Sequence, residues 1–287
     1  MNSRIKVAVI GAGGKMGTRV SNNLAKHRDM AEMKLCENSP RGIEGIQARG
    51  FDIVTTEEAV KWADITVLAV PDTLIHLISK DVVGLMKPGT TLIILDPAAA
   101  VARHLALRDD CTFVVTHPCH PSYFLDQDTP EARQDYFGGI AAKQDIVMAK
   151  IQGSDERFAE ARKIAEIMFE PVVHSYVMDM RQIAFLEPTL VELLGATCLY
   201  AMAETVDEAE RKGIDRNAAI SFLTGHIMVL TANFLGILKN AKVSDACNVA
   251  IGLGNRLVLR EDWKKIWDDE VLDKVIATML NPSKPQI

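Results

Sequence analysis

The sequence predicts a doubly wound, mostly parallel α/β sheet followed by a second, all-helical domain. Three observations carry this expectation. Short apolar runs alternate with helical stretches through the first half. A glycine-rich turn follows the first apolar run, and no strand pattern recurs after about Asp179.

Strands are expected at Lys6–Ile10, Met33–Cys36, Asp52–Val54, Ile65–Val70, Thr91–Leu95 and Thr112–Thr116, each short, apolar and bounded by turn residues. Helices fit Lys15–His27, Glu57–Trp62 and Thr73–Leu85 between them. Right-handed crossovers then put helices on both faces of one sheet. From Pro118 to Gly139 three prolines and Gly138-Gly139 interrupt the pattern, so a long loop is expected there. A strand near Ile146–Ile151, a helix near Asp155–Phe169 and a strand near Val172–Val177 complete the first domain, residues 1–180.

Residues 181–287 read as helices. Leu190–Ala203 is apolar nearly all round, which is expected of a helix buried on most sides. Glu187-Pro188 opens it, with Pro188 at the first helical position and Glu187 as N-cap. Gly213 reads as a C′ residue and Asp215 as the next N-cap. Further helices fit Ala218–Leu238, Val243–Arg260 and Trp263–Leu280. This domain carries more apolar surface than so small a bundle buries alone, which points to a homodimer built through it.

Composition narrows the function. Of 287 residues, 48% are hydrophobic, and 32 basic against 38 acidic side chains leave a net charge of −6. Such a chain folds around a substantial core. It lacks the surplus of lysine and arginine that a nucleic-acid binder uses against phosphates. Val7–Ile10 is too short for a secretory core. The uncharged stretch Ser221–Leu238, with His226, Asn233 and two glycines, reads as a buried helix, so no membrane span is expected. Five scattered cysteines without a CxxC pair fit reduced thiols in a cytoplasmic compartment.

The turn after the first strand is Gly11-Ala12-Gly13-Gly14-Lys15-Met16-Gly17, a variant one residue longer than GxGxxG. Glycines there permit a tight turn and let backbone N–H groups approach a pyrophosphate, which the next helix N-terminus attracts. Gly17 permits close helix–strand packing. Lying between a predicted strand and a helix, the motif marks a Rossmann-type dinucleotide site. Glu37 stands 20 residues past Gly17, at the end of the second strand, where a carboxylate accepts ribose hydroxyls. It also repels a 2′-phosphate, favouring NAD over NADP, although Arg41 softens that preference; a merely solvated glutamate is the bland alternative. Asp72, in Val70-Pro71-Asp72, either touches the cofactor or caps the helix from Thr73. Asp96-Pro97 reads as a cap alone.

The chemistry is expected at Thr116-His117-Pro118-Cys119-His120-Pro121, on the carboxyl edge of the sheet. The prolines hold this backbone extended, so its side chains do not share a helical face and are not all expected to point into one site. His117, nearest the strand end, is the candidate acid–base group or ligand; His120 and Cys119 are expected to pack or face solvent. Glu187 is either a helix-dipole partner or a functional carboxylate at the domain junction. Glu192 lies on a different face of the helix. His117 and Glu187 together suit a divalent metal, zinc or magnesium, with an acid–base pair as the competing reading.

These segments carry a resemblance over nearly the whole chain: GAGGKMG at 11–17, Glu37, AVPD at 69–72, HPCHPS at 117–122, LEP at 186–188 and AETVDEAERKGID at 203–215. The chain resembles the two-domain oxidoreductases with a 6-phosphogluconate-dehydrogenase-like helical domain. Within that group it is most similar to the D-apionate oxidoisomerases. The common hydroxyacid dehydrogenases of the group place a catalytic lysine where this chain offers Glu187, a departure that suits metal coordination. The resemblance implies hydride transfer from C2 of D-apionate to NAD⁺, then a hydroxymethyl shift from C3 to C2 giving 3-oxo-isoapionate. It implies His117 and Glu187 as holders of a divalent metal that assists the shift. A simple NAD(P)-dependent dehydrogenase of another sugar acid or 3-hydroxy acid, and a non-catalytic NAD sensor, are the rival expectations.

Overall fold

The computed structural model describes residues 4–283. Chain contacts divide it into two compact units, one running up to Phe185 and resuming from Asp273, the other Leu186–Leu272.

The first unit is built on β1 (Ile5–Ile10), β2 (Ala31–Cys36), β3 (Ile65–Leu68), β4 (Thr91–Ile94), β5 (Thr112–Pro118), β6 (Gln144–Gln152) and β7 (Val172–Val177), in spatial order β2-β1-β3-β4-β5-β6-β7. All neighbours are parallel except β5 and β6. The strand order reverses at β1, with β2 on one side and β3 on the other. In such sheets that switch point opens a crevice at the carboxyl ends of the strands. The central strands are apolar on both faces, as burial under helices on both sides requires.

The helices of this unit are α1 (Lys15–Lys26), α2 (Pro40–Ala48), α3 (Thr56–Trp62), α4 (Asp72–Leu85), α5 (Ala98–Val101), α6 (Pro130–Gln134) and α7 (Asp155–Met168). Val20 and Leu24 of α1 join Ile164, Ala165 and Met168 of α7 over Val7, Val9, Val67, Val114 and Met148 of the sheet. Each such side chain, fully buried, contributes about 1.5–3 kcal/mol.

Three expectations change here. Asp52–Val54 forms only an isolated bridge, Leu35 to Ile53, because the segment ends at the Thr55 cap of α3 before a ladder can extend. Residues 40–48 form α2, started by the Ser39 hydroxyl and Pro40 at its first turn. The loop after β5 contains α6, capped by Thr129.

One continuous 32-residue helix, Met180–Arg211, then leads out of the first unit. It comprises α8 (Met180–Ala184), a π-helical stretch Phe185–Ala196 and α9 (Thr197–Arg211). Its cap is Asp179, in a reciprocal capping box with Gln182. Glu187 is therefore not an N-cap and Pro188 does not open the helix. Proline lacks an N–H and crowds the preceding turn, and the chain accommodates it by widening to π geometry.

The second unit continues with α10 (Arg216–Phe234), α11 (Asp245–Val258) and a 3₁₀ turn (Trp263–Trp267). Gly213, at φ +83, follows the α9 cap, and the Asp215 carboxylate accepts Ala218 N–H at 2.9 Å, both as expected. The helix expected over Trp263–Leu280 is split at Asp268, which is extended, and α12 is Asp269–Leu280. The burial expected for Leu190–Ala203 is absent in the single chain: Leu190, Val191, Leu199 and Tyr200 are exposed.

Candidate active site

The glycine-rich turn sits at the switch point. Gly11 has φ +80, a left-handed conformation that glycine adopts without penalty. A Cβ on Gly17 would collide with the Gly11 carbonyl and with Ala12, so α1 starts directly against the turn. Gly14 caps α1 without a side chain, leaving the first helical N–H groups pointing outward. Arg49, which caps α2, buttresses the turn from behind. Its guanidinium donates to the Ala12 carbonyl at 3.2 Å and to Ser21 Oγ and Asn22 Oδ1 at 2.8 Å.

A cleft of about 750 Å³ opens in front of the turn. Gly11, Gly13, Gly14, Lys15, Glu37 and Arg41 line it, with Val70 and Pro71 from the end of β3. Ala12 is buried, Met16 is half-buried, and Gly17 lies beneath the turn. Asp72 is exposed as the first residue of α4, whose cap is Pro71, and it is not among the described residues lining the cleft. Glu37 is anchored by backbone donors: Gly13 N–H reaches Oε2 at 2.9 Å, and Asn38 and Ser39 N–H reach Oε1 at 2.9 Å each. Burial pushes its carboxyl upward, but the donors on Ser39, Gly13 and Asn38 outweigh this and hold it below the ordinary glutamate range. The cleft therefore carries a fixed negative charge at the end of β2.

His117 stands near the end of β5, between the parallel neighbour β4 and the antiparallel β6. Its Nδ1 lies 2.8 Å from the Leu95 carbonyl. A carbonyl only accepts, so Nδ1 carries the hydrogen and the lone pair of the neutral ring is on Nε2. Burial pushes this imidazole down to about 4, against the opposing pull of the Leu95 hydrogen bond, with His120 and Arg19 adding to the depression. The ring is a neutral acceptor at physiological pH.

His120 packs, as expected. Its ring is half-buried, meets the His117 ring edge-on at 6.2 Å between centroids and packs 4.8 Å from the Phe137 ring. The two imidazoles are neighbours, because a left-handed residue at His120, φ +59, turns the chain back after Pro118. Cys119 is exposed, and its N–H continues the sheet by donating to the Asp145 carbonyl.

Phe137 connects this pair to the nucleotide turn, with Lys15 Nζ 3.1 Å from its ring centre. Its carbonyl accepts from Arg19 Nη1 at 3.3 Å and from His120 Nδ1 at 2.8 Å. Arg19 is only 5% exposed, and burial lowers its guanidinium to about 10, still charged at neutral pH. Sequence reasoning missed Arg19, Arg49 and Phe137. The only local signal was Gly138-Gly139, whose absent Cβ atoms make room for the Arg19 side chain.

Glu187 lies half-buried in the π-helical stretch of the long helix. Among the described residues, no three His, Cys, Asp or Glu side chains gather into a group able to hold a metal ion. The chain's own donors do not make a closed metal centre of the structural kind.

The chain is similar to known proteins along its length. Residues 2–127 match the family model of the acetohydroxy acid isomeroreductase NADPH-binding domain, and residues 125–280 that of the phosphogluconate dehydrogenase (decarboxylating) C-terminal domain. A D-apionate oxidoisomerase of Blautia hydrogenotrophica is 68% identical over 285 residues, covering 99% of both chains. One of Pectobacterium atrosepticum is 42% identical, covering 96% of this chain and 95% of its own. A crystal structure of a semialdehyde dehydrogenase NAD-binding protein from Cupriavidus necator, in complex with calcium and NAD, superposes with a TM-score of 0.92. It is 41% identical, over 96% of this chain and 100% of that one. With the nucleotide turn, the paired imidazoles and the helical second unit all in place, the chain belongs to the D-apionate oxidoisomerase family.

Proposed function

We propose that this chain is an NAD-dependent oxidoisomerase that converts D-apionate to 3-oxo-isoapionate. The observation that carries the reading is the glycine-rich turn and its cleft at the switch point, with His117 held at the end of β5 on the same carboxyl edge of the sheet. The Glu37 carboxylate supports NAD, since a 2′-phosphate there would meet a like charge. Asp72 is proposed to contact the cofactor from the start of α4. In the first step C2 of the substrate gives hydride to the nicotinamide, and its hydroxyl proton goes to His117 or Glu187 where that residue does not hold a metal. In the second, the hydroxymethyl group moves from C3 to C2.

A divalent ion, with His117 and Glu187 as the donors this chain offers, belongs to the same proposal. When bound it would polarise oxygen atoms of the substrate. The experiment is NADH formation from NAD⁺ over a panel of sugar acids, before and after dialysis against EDTA. D-apionate is expected to be the preferred substrate, and activity lost on dialysis is expected to return with added divalent metal. Equal turnover of straight-chain hydroxy acids would favour a simple dehydrogenase instead. No turnover of any acid would favour an NAD sensor.

We also propose a homodimer formed through the second unit. Leu257 is 84% exposed, Val258 77%, and Phe222 and Leu235 71% each. Within α10 only Ala232 is buried, and within α11 nothing is. Helices that are apolar and uncovered on several sides need partners on several sides. The same helices of a second copy supply them through a self-complementary interface. The helix Met180–Arg211 is long and apolar enough to cross a membrane, but Pro188 and the acids Glu187 and Glu192 favour a protein partner over lipid. All five cysteines are free thiols, which supports a reducing, cytoplasmic compartment.

A further inference from the structure

We propose that Gly42 is a positioning residue that sets nucleotide specificity. Its missing side chain leaves the space in which the Glu37 carboxylate is held, and so maintains the preference for NAD over the 2′-phosphorylated form. The inference rests on the nucleotide reading of the cleft above and adds a residue to it.

Gly42 is the third residue of α2, is buried, and belongs to the wall of the cleft. Glycine weakens a helix interior relative to alanine. The backbone at this position is not left-handed, so conformation does not call for glycine. Space does. A Cβ on Gly42 would lie 2.7 Å from both Cγ and Cδ of Glu37 and 2.6 Å from Ser39 Oγ. Carbon atoms in good contact stand about 3.5–4.0 Å apart. The Glu37 side chain therefore occupies the volume that any other residue at 42 would claim.

The helix is tied down on several sides. Gly13 meets it so closely that a Cβ on Gly13 would stand 2.4 Å from the Gly42 Cα. Ile46, one turn on, is fully buried in the core beside the sheet. Arg49 fastens the far end. Its Nε donates to the Gly45 carbonyl at 3.2 Å, while the rest of the guanidinium donates to the Ala12 carbonyl, Ser21 Oγ and Asn22 Oδ1. So α2 is joined both to α1 and to the nucleotide turn.

Glu37 is the softer member of the contact. It is a flexible side chain held by three N–H groups, from Gly13, Asn38 and Ser39. A methyl group added at 42 is relieved at least cost by swinging that carboxylate off its donors. Off its donors it no longer offers ribose hydroxyls a fixed acceptor, and its charge leaves the place of the 2′-phosphate. Arg41 remains on the cleft wall. Gly42 thus acts through Glu37 and touches no reacting atom.

The test is Gly42→Ala, with Kd for NADH and for NADPH read by fluorescence titration, beside Glu37→Ser, the double variant and the wild type. Losing hydrogen bonds to a charged acceptor is expected to raise Kd for NADH by about tenfold or more. The ratio of Kd for NADPH to Kd for NADH is expected to fall by about tenfold. In the Glu37→Ser background the same Gly42→Ala change is expected to move that ratio by less than about twofold, because the two act as one unit. An unchanged ratio in Gly42→Ala, where Glu37→Ser does shift it, overturns the proposal. So does a shift of equal size with and without Glu37, which would place the effect elsewhere. A Gly42→Ala protein that does not fold also overturns it, since the strain would then fall on the backbone and not on the Glu37 side chain. If the wild-type protein does not bind NADH, or Glu37→Ser leaves the ratio where it was, the underlying nucleotide reading fails instead, which is a separate result.

Discussion

In the proposed reading Glu37 selects the cofactor and His117 serves the chemistry, and each makes a prediction of its own. Glu37 holds a negative charge at the cofactor cleft because three backbone N–H groups stabilise it. Replacing it with serine removes the repulsion of a 2′-phosphate and leaves Arg41 to attract one. Glu37→Ser is expected to raise the ratio of NADP⁺ to NAD⁺ turnover by about tenfold or more, about 1.4 kcal/mol. Initial rates with both cofactors check this, and an unchanged ratio would mean that Glu37 does not read the ribose. His117 is depressed from 6.5 to about 4 by burial. Between those values the unfolded chain binds a proton that the folded chain does not, so stability rises with pH there. The full contribution is present above about 6.5 and is lost as pH falls towards 4, up to about 3 kcal/mol. In metal-free protein, denaturant midpoints across this window should show that slope, and His117→Gln should remove it. The placement of Glu37 and His117 at strand ends was legible in the sequence, because a strand end fixes where a side chain emerges. His120 was not, because its orientation depends on a left-handed backbone and on a carbonyl 17 residues away.

At the scale of elements, the nucleotide turn was readable from its glycines, and the reason is steric. Gly17 has no room for a Cβ against Gly11 and Ala12. Gly17→Ala is expected to destabilise the fold by about 1–3 kcal/mol and to weaken NADH binding, read as a fall in Tm and a rise in Kd. An unchanged Kd would show that α1 does not need its close start. The long helix was misread for an equally physical reason. Proline usually marks a helix start, and Glu187-Pro188 has that signature. The stronger signal was the reciprocal cap Asp179 and Gln182, eight residues before the expected N-cap at Glu187. It makes the helix run through Pro188 as π turns. Glu187 thereby sits inside a widened helix, a feature frequent at functional sites. The Arg19 strap was invisible because it joins α1 to a loop 118 residues later, and no local pattern encodes such a pairing.

For the whole molecule, the sequence pointed to a sheet of mostly parallel strands and a helical remainder, and the structure agrees. What periodicity did not disclose is where the apolar helices find cover. A helix apolar all round reads as buried, yet α9, α10 and α11 expose tyrosine, phenylalanine, leucine and valine in the single chain. The proposed second copy would resolve the difference, since each large side chain it covered would contribute about 1.5–3 kcal/mol. The double variant Leu257→Glu, Val258→Glu is expected to shift the protein to a monomer in sedimentation and to lower its Tm. A dimer of undiminished stability would place the interface elsewhere. Whether oxidation and rearrangement occur in one protein is read from the product. D-apionate labelled with carbon-13 at the hydroxymethyl carbons is incubated with NAD⁺ and the purified protein, and the carbon connectivity of the product is read by NMR. One NADH is expected for each product molecule, with a labelled hydroxymethyl carbon now bonded to C2. One NADH for each molecule of a keto acid whose labelled carbons both remain on C3 would contradict it.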